Sequence, residues 1–373
     1  MADARLHRTV AALRRAGCEV TVRGLSAGAS ASPGVSTSRP AGKVTRGLRA
    51  LIWPWQARGD VLLTIDPDTA LSAWLSSKVL RRRWVADVHE DYRELLRDRA
   101  WVPKPLLAVL RGAVSVLNWI ITQADLVLVA DEHVPPRSAR RRFVMRNVPD
   151  VTLLPPMPSL VEPTSSELAR SEVVSKPGDV TADVGTSRTA VYIGDMRESR
   201  GLRLMVEAVA ATSADESPWS LTLVGNLAAA DEAWFHDRLK QPDAARIRWH
   251  GRMAPVESWR IAEGAAVGLC LLADTPAFRD AMPSKVYEYL AMGMPTIATP
   301  LPRVRELVEG TGAGVIVDDV PATVEALRRF ATEPSRRAGL IANARAAGEE
   351  LRERPSPYDD AARRILQLAG ELK

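Results

Sequence analysis

Charged side chains near the start of a short predicted helix could contact a ligand. Pro283 suits the first turn of this helix and Gly293 suits its exit. Lys285 and Glu288 lie one turn apart inside it, and Asp280 precedes Glu288 by two turns. A carboxylate near a helix start is stabilised by the helix dipole, by roughly 0.3–1 kcal/mol. By spacing alone, dipole compensation or an ion pair with Lys285 is therefore the favoured explanation of Glu288.

A second charged group follows a predicted strand. Gly194 ends this strand, and Arg197 and Arg200 precede the next predicted helix. Positive side chains beside the N–H groups of a helix start form a phosphate site, although a surface turn with ordinary arginines explains the pattern equally well. The glycine spacings of a dinucleotide fingerprint and of a Walker loop are both absent.

A third group, His89, Glu90 and Asp91, follows the predicted strand WVADV. A histidine at a strand end can hydrogen-bond a substrate or move protons, although packing at the strand end is its commoner role. No cluster with metal-ligand spacing is visible, so we expect neither a metal nor a cofactor. Cys18 and Cys270 each lie in an apolar run that predicts a strand, which favours buried free thiols over a disulfide.

These groups stand at the ends of strands that alternate with helices. Parallel strands need crossovers, so the alternation predicts doubly wound sheets, in which ligands bind beyond the carboxyl ends of the strands. The first half begins with a helix over 3–16, and we expect its domain to lack the first strand. From 189 onward the alternation is regular, with strands predicted at TAVYIG, LTLVGN, IRWHG, AVGLCLL, PTIAT and GVIVDD.

The length of 373 residues exceeds the usual size of one core and favours two domains. We predict a first domain over 1–154 and a second over 188–334. The segment 155–187 has the composition of a flexible linker or insertion. Helices over 335–373 could pack on their own domain or cross back to the first. A small, polar stretch over 26–50 predicts a flexible loop.

Charge and hydropathy limit the function classes. Residues 1–150 hold 24 basic and 14 acidic residues, a net charge of +10, whereas 151–373 carry −5. Basic runs at 81–83 and 137–142 could contact anionic lipid or an anionic acceptor, or form a solvated surface. Few aromatic residues accompany them, which disfavours nucleic acid. With neither a secretory signal nor a membrane-spanning segment predicted, we expect a cytoplasmic protein, with possible peripheral contact at the inner membrane face.

Five segments follow one another along the chain in the order of a known family: DARLHRTVAALRRAGCEVTV, WVADVHEDY, GDMRESRGLRLMVEAV, LTLVGN and PSKVYEYLAMGMPTIATPLPRVRELVEGTGAGVIV. In these segments the chain resembles the retaining glycosyltransferases of family 4. These have the GT-B fold, in which two Rossmann-like α/β domains face each other across a cleft. The resemblance extends over nearly the whole chain outside the two flexible stretches.

The resemblance implies a nucleotide-sugar donor on the second domain and an acceptor on the first. The family's paired acids fall on Asp280 and Glu288, of which Glu288 would hold the ribose hydroxyls. His89 matches the histidine that approaches the transferred sugar, so His89 and Asp280 are the implied catalytic residues. The implied donor-binding residues are Gly194, Arg197, Arg200, Asn226, Arg252, Met253, Ala281, Met282, Lys285 and Glu288.

Within this set, Arg200 matches a residue that contacts the diphosphate, and Arg252 and Met253 match the loop that reads the base. The chain departs from the family's pattern at Asp280, where a glutamate is usual. It departs again at Asp195, where many members have arginine, which leaves Arg197 or Arg200 to supply the positive charge.

The implied reaction is hexosyltransferase-like transfer, with retention, to a glycan, lipid-linked or small-molecule acceptor, in polysaccharide or glycoconjugate biosynthesis. Cations and backbone donors would assist departure of the diphosphate. Two alternatives stay open: a sugar-nucleotide epimerase of the same fold, and a non-catalytic nucleotide-sugar-binding or scaffold protein. The base, the sugar and the acceptor do not follow from these residues.

Overall fold

The chain divides into two compact units, Met1–Asp150 with Pro355–Lys373 (unit 1) and Val151–Arg354 (unit 2). The predicted linker over 155–187 lies outside the described residues except for 155–158 and 187. The computed structural model describes residues 4–25, 34–38, 42–65, 67–96, 104–158, 187–276, 278–280 and 282–370.

Unit 1 contains a parallel four-stranded sheet and a separate parallel pair of strands. The sheet has the order β3-β4-β5-β6, and β1 pairs with β2. Its elements are α1 (Ala4–Arg15), β1 (Val22–Leu25), β2 (Val35–Ser38), α2 (Lys43–Gln56), β3 (Val61–Ile65), α3 (Ala70–Val79), β4 (Arg83–Val88), α4 (Tyr92–Leu95), α5 (Lys104–Ile121), β5 (Leu126–Val129) and β6 (Arg142–Val144).

Two sequence predictions in unit 1 are wrong. The segment 26–50, predicted as a flexible loop, includes β2 and the first half of α2, because β2 pairs with β1 and α2 packs against α3. Cys18 precedes β1 instead of lying in a strand, and it is half-buried. It belongs to the exit turn of α1, where Gly17 has φ +84° and the Cys18 amide donates to the Leu13 carbonyl at 3.0 Å.

Unit 2 is a doubly wound domain whose six strands occur where the sequence predicts them. All six are parallel, in the order β12-β11-β10-β7-β8-β9. Its elements are β7 (Thr189–Ile193), α6 (Leu202–Ala210), β8 (Ser220–Val224), α7 (Ala229–Leu239), β9 (Ile247–Trp249), α8 (Pro255–Ile261), β10 (Val267–Cys270), α9 (Ser284–Ala291), β11 (Thr296–Ala298), α10 (Pro302–Thr311), β12 (Gly314–Ile316), α11 (Val320–Thr332) and α12 (Pro334–Glu353).

The last two helices belong to different units. Helix α12 packs against α9, so unit 2 extends to Arg354, past the predicted boundary at 334. Helix α13 (Pro357–Gly370) packs against α1, and its buried Tyr358 and Ile365 share a core cluster with Leu13. Among the described helices, none is long and apolar enough to cross a membrane.

Candidate functional site

The strand order of unit 2 identifies one position at its sheet edge. The chain runs from β7 outward to β9 and then returns to β10, on the other side of β7. Because β7 and β10 are parallel neighbours, the segments that follow them, 194–201 and 271–283, leave from the same edge of the sheet. Helix α9 also begins at this edge. Such a switch point is where doubly wound sheets bind ligands.

Gly194, the first residue after β7, makes room for a lysine from α9. Its φ of +148° disfavours any other residue, and its amide donates to the Val224 carbonyl at 2.8 Å. A Cβ atom on Gly194 would lie 2.5 Å from Cε and 2.6 Å from Nζ of Lys285. The missing side chain therefore leaves the space that the Lys285 ammonium group occupies.

The Lys285 ammonium group makes a cation–π contact and no ion pair within the described part of the chain. Its Nζ atom lies 5.0 Å from the centroid of the Tyr192 ring, and the buried Tyr192 hydroxyl donates to the Asp195 carbonyl at 2.8 Å. The ion pair between Lys285 and Glu288, which spacing alone favours, does not form. Lys285 can therefore meet an anion at the sheet edge.

Arg200 is a second cation at this edge. Its half-buried guanidinium lies 5.6 Å from the Phe278 ring, its Nε is buried without a hydrogen-bond partner, and it joins no ion pair among the described residues. Burial raises the pKa of the Cys270 thiol, at the end of β10, to about 11, while the charges of Lys285 and Arg200 oppose that rise. Both cations therefore lie near the end of β10, where an anionic ligand could pair with them.

The contacts of α9 with β10 determine which of its residues face the edge. The Tyr289 ring is buried over Gly268, where a Cβ atom would lie 2.4 Å from it, and the Tyr289 hydroxyl donates to the Leu269 carbonyl at 3.2 Å. Tyr287 is half-buried, because Tyr289 is the tyrosine of α9 that packs on β10. Glu288 is half-buried, one turn beyond Lys285.

Two further predicted residues stand in the segment before α9. Asp280 is exposed, and its carbonyl accepts a hydrogen bond from Nη1 of Arg303 at 3.2 Å. Met282 is half-buried and packs against the cluster beneath β10 and α10. Ala281 lies outside the described residues.

The remaining predicted donor-binding residues lie just after neighbouring strands or in the turn after β7. Asn226, after β8, is exposed, and its carbonyl accepts the Met196 amide at 2.7 Å. Arg252 is exposed and Met253 half-buried, both after β9. Neighbouring strands are about 4.8 Å apart, so these segments lie one and two strand spacings from β7 along one edge. Arg197 is exposed, ahead of Arg200.

In unit 1, the histidine after β4 is held by a buried acid that the sequence analysis missed. Asp87 is buried in β4, and its Oδ2 lies 3.3 Å from Nε2 of His89. Burial raises the pKa of Asp87, but the charge of Arg5 and the hydrogen bond from His89 outweigh it and hold that pKa below its usual value. The Asp87 side chain is therefore a carboxylate anion, and it orients the His89 ring. Its position, as the acid inside an apolar strand, was the signal available in the sequence.

Arginines of α1 reach the carboxyl ends of the strands of unit 1. Arg5 Nη2 lies 2.8 Å from Oδ1 of Asp87, and Arg5 Nη1 donates to the Met145 carbonyl at 2.6 Å. Arg8 Nη1 donates to Oδ1 of Asn147 at 3.0 Å. Helix α1 thus contributes charges to the strand end that carries His89. Across the described parts of both units, no group of three or more His, Cys, Asp and Glu side chains could hold a metal ion.

A family of known proteins matches the part of the chain that forms the switch point of unit 2. Residues 187–333, which are 147 of the 373, match the family described as Glycosyl transferases group 1. The match covers every strand of unit 2 and the residues at its switch point. No curated protein matches the chain.

Solved structures match both units. The chain aligns over 99% of its length with 92% of sucrose-phosphate synthase from Thermosynechococcus elongatus, at 16% identity and a TM-score of 0.65. WaaG, a glycosyltransferase involved in lipopolysaccharide biosynthesis, aligns over 96% of this chain and 94% of its own, at 16% identity and a TM-score of 0.61. The fold is GT-B. Anabaena HepE in complex with UDP-glucose covers 91% of this chain and 85% of its own, at 14% identity and a TM-score of 0.55.

Proposed function

We propose that the protein is a glycosyltransferase that moves a sugar from a nucleotide-diphosphate donor to an acceptor. One observation carries the proposal: Lys285, over the Tyr192 ring of β7, and Arg200, over the Phe278 ring after β10, are both half-buried at the switch point of unit 2 and have no carboxylate partner among the described residues. Two such cations suit a diphosphate. The match of 187–333 to a glycosyltransferase family, and the UDP-glucose complex of the similar protein HepE, support this ligand class.

In this proposal the diphosphate is the leaving group. Negative charge develops on it as the bond to the sugar breaks, and Lys285 and Arg200 stabilise that charge. The N–H groups at the start of α9 add to the positive potential. Glu288, one turn further along α9, accepts hydrogen bonds from the ribose hydroxyls. We assign no metal and no cofactor to the reaction.

His89 and Asp280 are the proposed catalytic residues. His89, oriented by the anionic Asp87 through Nε2, would hydrogen-bond the transferred sugar through its other ring nitrogen, Nδ1. Asp280 would contact the sugar directly or through water, since its side chain is shorter than the family's usual glutamate. Retention of configuration and a hexose substrate are further proposals, supported by the resemblance to family 4.

The proposed class of acceptor follows from the net charge of the first 150 residues. The net charge of +10 over 1–150 supports an acceptor with anionic groups, or one held at an anionic membrane. We propose a cytoplasmic enzyme of polysaccharide or glycoconjugate biosynthesis that contacts the inner face of the membrane peripherally.

The proposal is tested with a panel of nucleoside diphosphates. At least one should raise the unfolding temperature progressively with concentration. Glu288→Ala should weaken that ligand's binding, whereas Glu306→Ala, an exposed acid on α10, should not. Unchanged affinity in Glu288→Ala would count against the ribose assignment. A donor sugar isomerised without any acceptor, followed by NMR, would instead favour an epimerase, and binding without turnover on any acceptor would favour a scaffold.

A further inference from the structure

Helix α3 exposes an apolar stripe on the side facing away from the sheet. Leu71, Leu75 and Val79 recur every fourth residue and therefore lie on one face, with Val79 66% exposed. Ala70 and Ala73 are buried on the opposite face, in the cluster that packs on the sheet of unit 1. A stripe of this kind on a solvated helix is unusual and indicates an interaction surface.

The two helices that pack against α3 also expose large apolar side chains. Helix α3 packs against both α2 and α5. Helix α2 exposes Leu48, Leu51, Ile52 and Trp55, and helix α5 exposes Val116 and Trp119, the latter 60%. Of the 14 large hydrophobic side chains exposed in the described chain, 11 lie on or directly after these three helices.

Positive charge borders this apolar face. A cavity of about 270 Å³ lies directly beyond Val79, where Lys78, Arg81 and Arg82 line it. Arg83 and Asp125, also in its lining, pair with each other at 2.9 Å. Lys78 and Arg81 are exposed, and neither has an ion-pair partner in the described part of the chain. The segment 42–83 contains eight basic and three acidic residues.

We propose that the apolar face of α2, α3 and α5 docks on an anionic lipid bilayer, with the cavity at Lys78 and Arg81 receiving a lipid phosphate. Apolar side chains flanked by basic residues match an interface in which acyl chains lie beside anionic head groups. A second copy of this chain would bring the basic borders together and repel. The proposal specifies the surface of the membrane contact proposed above. It is independent of donor binding, because all of its residues belong to unit 1.

The test is sedimentation of the full chain with vesicles of phosphatidylcholine and phosphatidylglycerol in equal parts. The wild-type protein should bind them, and bind pure phosphatidylcholine far more weakly. The double variant Leu75→Glu with Val79→Glu should lose about tenfold or more in affinity, because two apolar side chains that would enter the bilayer become charged. Lys78→Glu with Arg81→Glu should lose a similar factor, and its residual binding should depend less on salt.

The control is Val256→Glu, which charges an exposed valine on α8 of unit 2 and should bind vesicles like the wild type. Every altered side chain is exposed, so unfolding temperature and nucleoside diphosphate binding should stay unchanged in all variants. The proposal is overturned if the wild-type protein ignores anionic vesicles, or if the apolar double variant binds them as the control does. A wild-type dimer in solution that Leu75→Glu separates would also overturn it, since a second copy would then cover the face.

Discussion

Replacing Gly194 with alanine should displace the Lys285 ammonium group and weaken diphosphate binding. The new Cβ atom would lie 2.5 Å from Cε and 2.6 Å from Nζ of Lys285, so the lysine tip must move off the Tyr192 ring. Hydrogen bonds to charged groups contribute about 1.5–3 kcal/mol. Loss of one such contact corresponds to a Kd about 10 to 150 times higher for a nucleoside diphosphate or for inorganic pyrophosphate.

Backbone strain must be separated from this effect, because φ at Gly194 is +148° and an alanine there costs roughly 1–3 kcal/mol of folding stability. Gly59 is the matched control, with φ +117° and no atom within 4 Å of an added Cβ. Gly59→Ala should lose stability but keep pyrophosphate affinity in calorimetric titration. Lys285→Met should lose the affinity and keep the stability. If Lys285→Met binds pyrophosphate like the wild type, the cation site is wrongly assigned.

Three further predictions concern the buried groups of both units. Asp87→Asn leaves Arg5 buried without its carboxylate and should lower the free energy of unfolding at pH 7 by about 3–5 kcal/mol in denaturant titration. Because the folded pKa of Asp87 is lowered, this stabilisation is present above the unfolded pKa of about 3.9 and lost as pH falls through the folded pKa, so the wild type and the variant should converge in acid. His89→Ala should lower kcat about a hundredfold with donor Kd unchanged; an equal change in both would contradict a role in transfer alone. Cys270, with a thiol pKa of about 11, should react with dithionitrobenzoate at pH 8 only after unfolding, and fast labelling of the folded Cys18→Ser variant, which leaves Cys270 as its one thiol, would refute that burial.

The strands of unit 2 could be predicted because buried parallel strands are continuous apolar runs bounded by turn residues. Two elements of unit 1 could not. Strand β6 begins inside the basic run at 137–142, and α2 follows a stretch of glycine, serine and threonine that hides its start. Both elements form because tertiary partners stabilise them, and no local pattern reports that.

The residue types of the candidate site could be predicted from the sequence, but the contacts between those residues could not. Lys285 and Arg200 stand out as cations near helix starts, yet spacing alone pairs Lys285 with Glu288. In the folded chain Gly194 and Tyr192, from a distant strand end, hold Lys285 away from that pair. The Asp87 contact with His89 was within reach of local spacing, whereas its partner Arg5 is 82 residues away in sequence.

The most direct measurement is a crystal structure with the nucleoside diphosphate that stabilises the protein most. We predict phosphate oxygens about 2.7–2.9 Å from Lys285 Nζ and from the Arg200 guanidinium, with the ribose hydroxyls on the Glu288 carboxylate. Phosphates bound away from the carboxyl ends of β7 and β10, or contacting neither cation, would contradict the assignment of a nucleotide-sugar site to this edge.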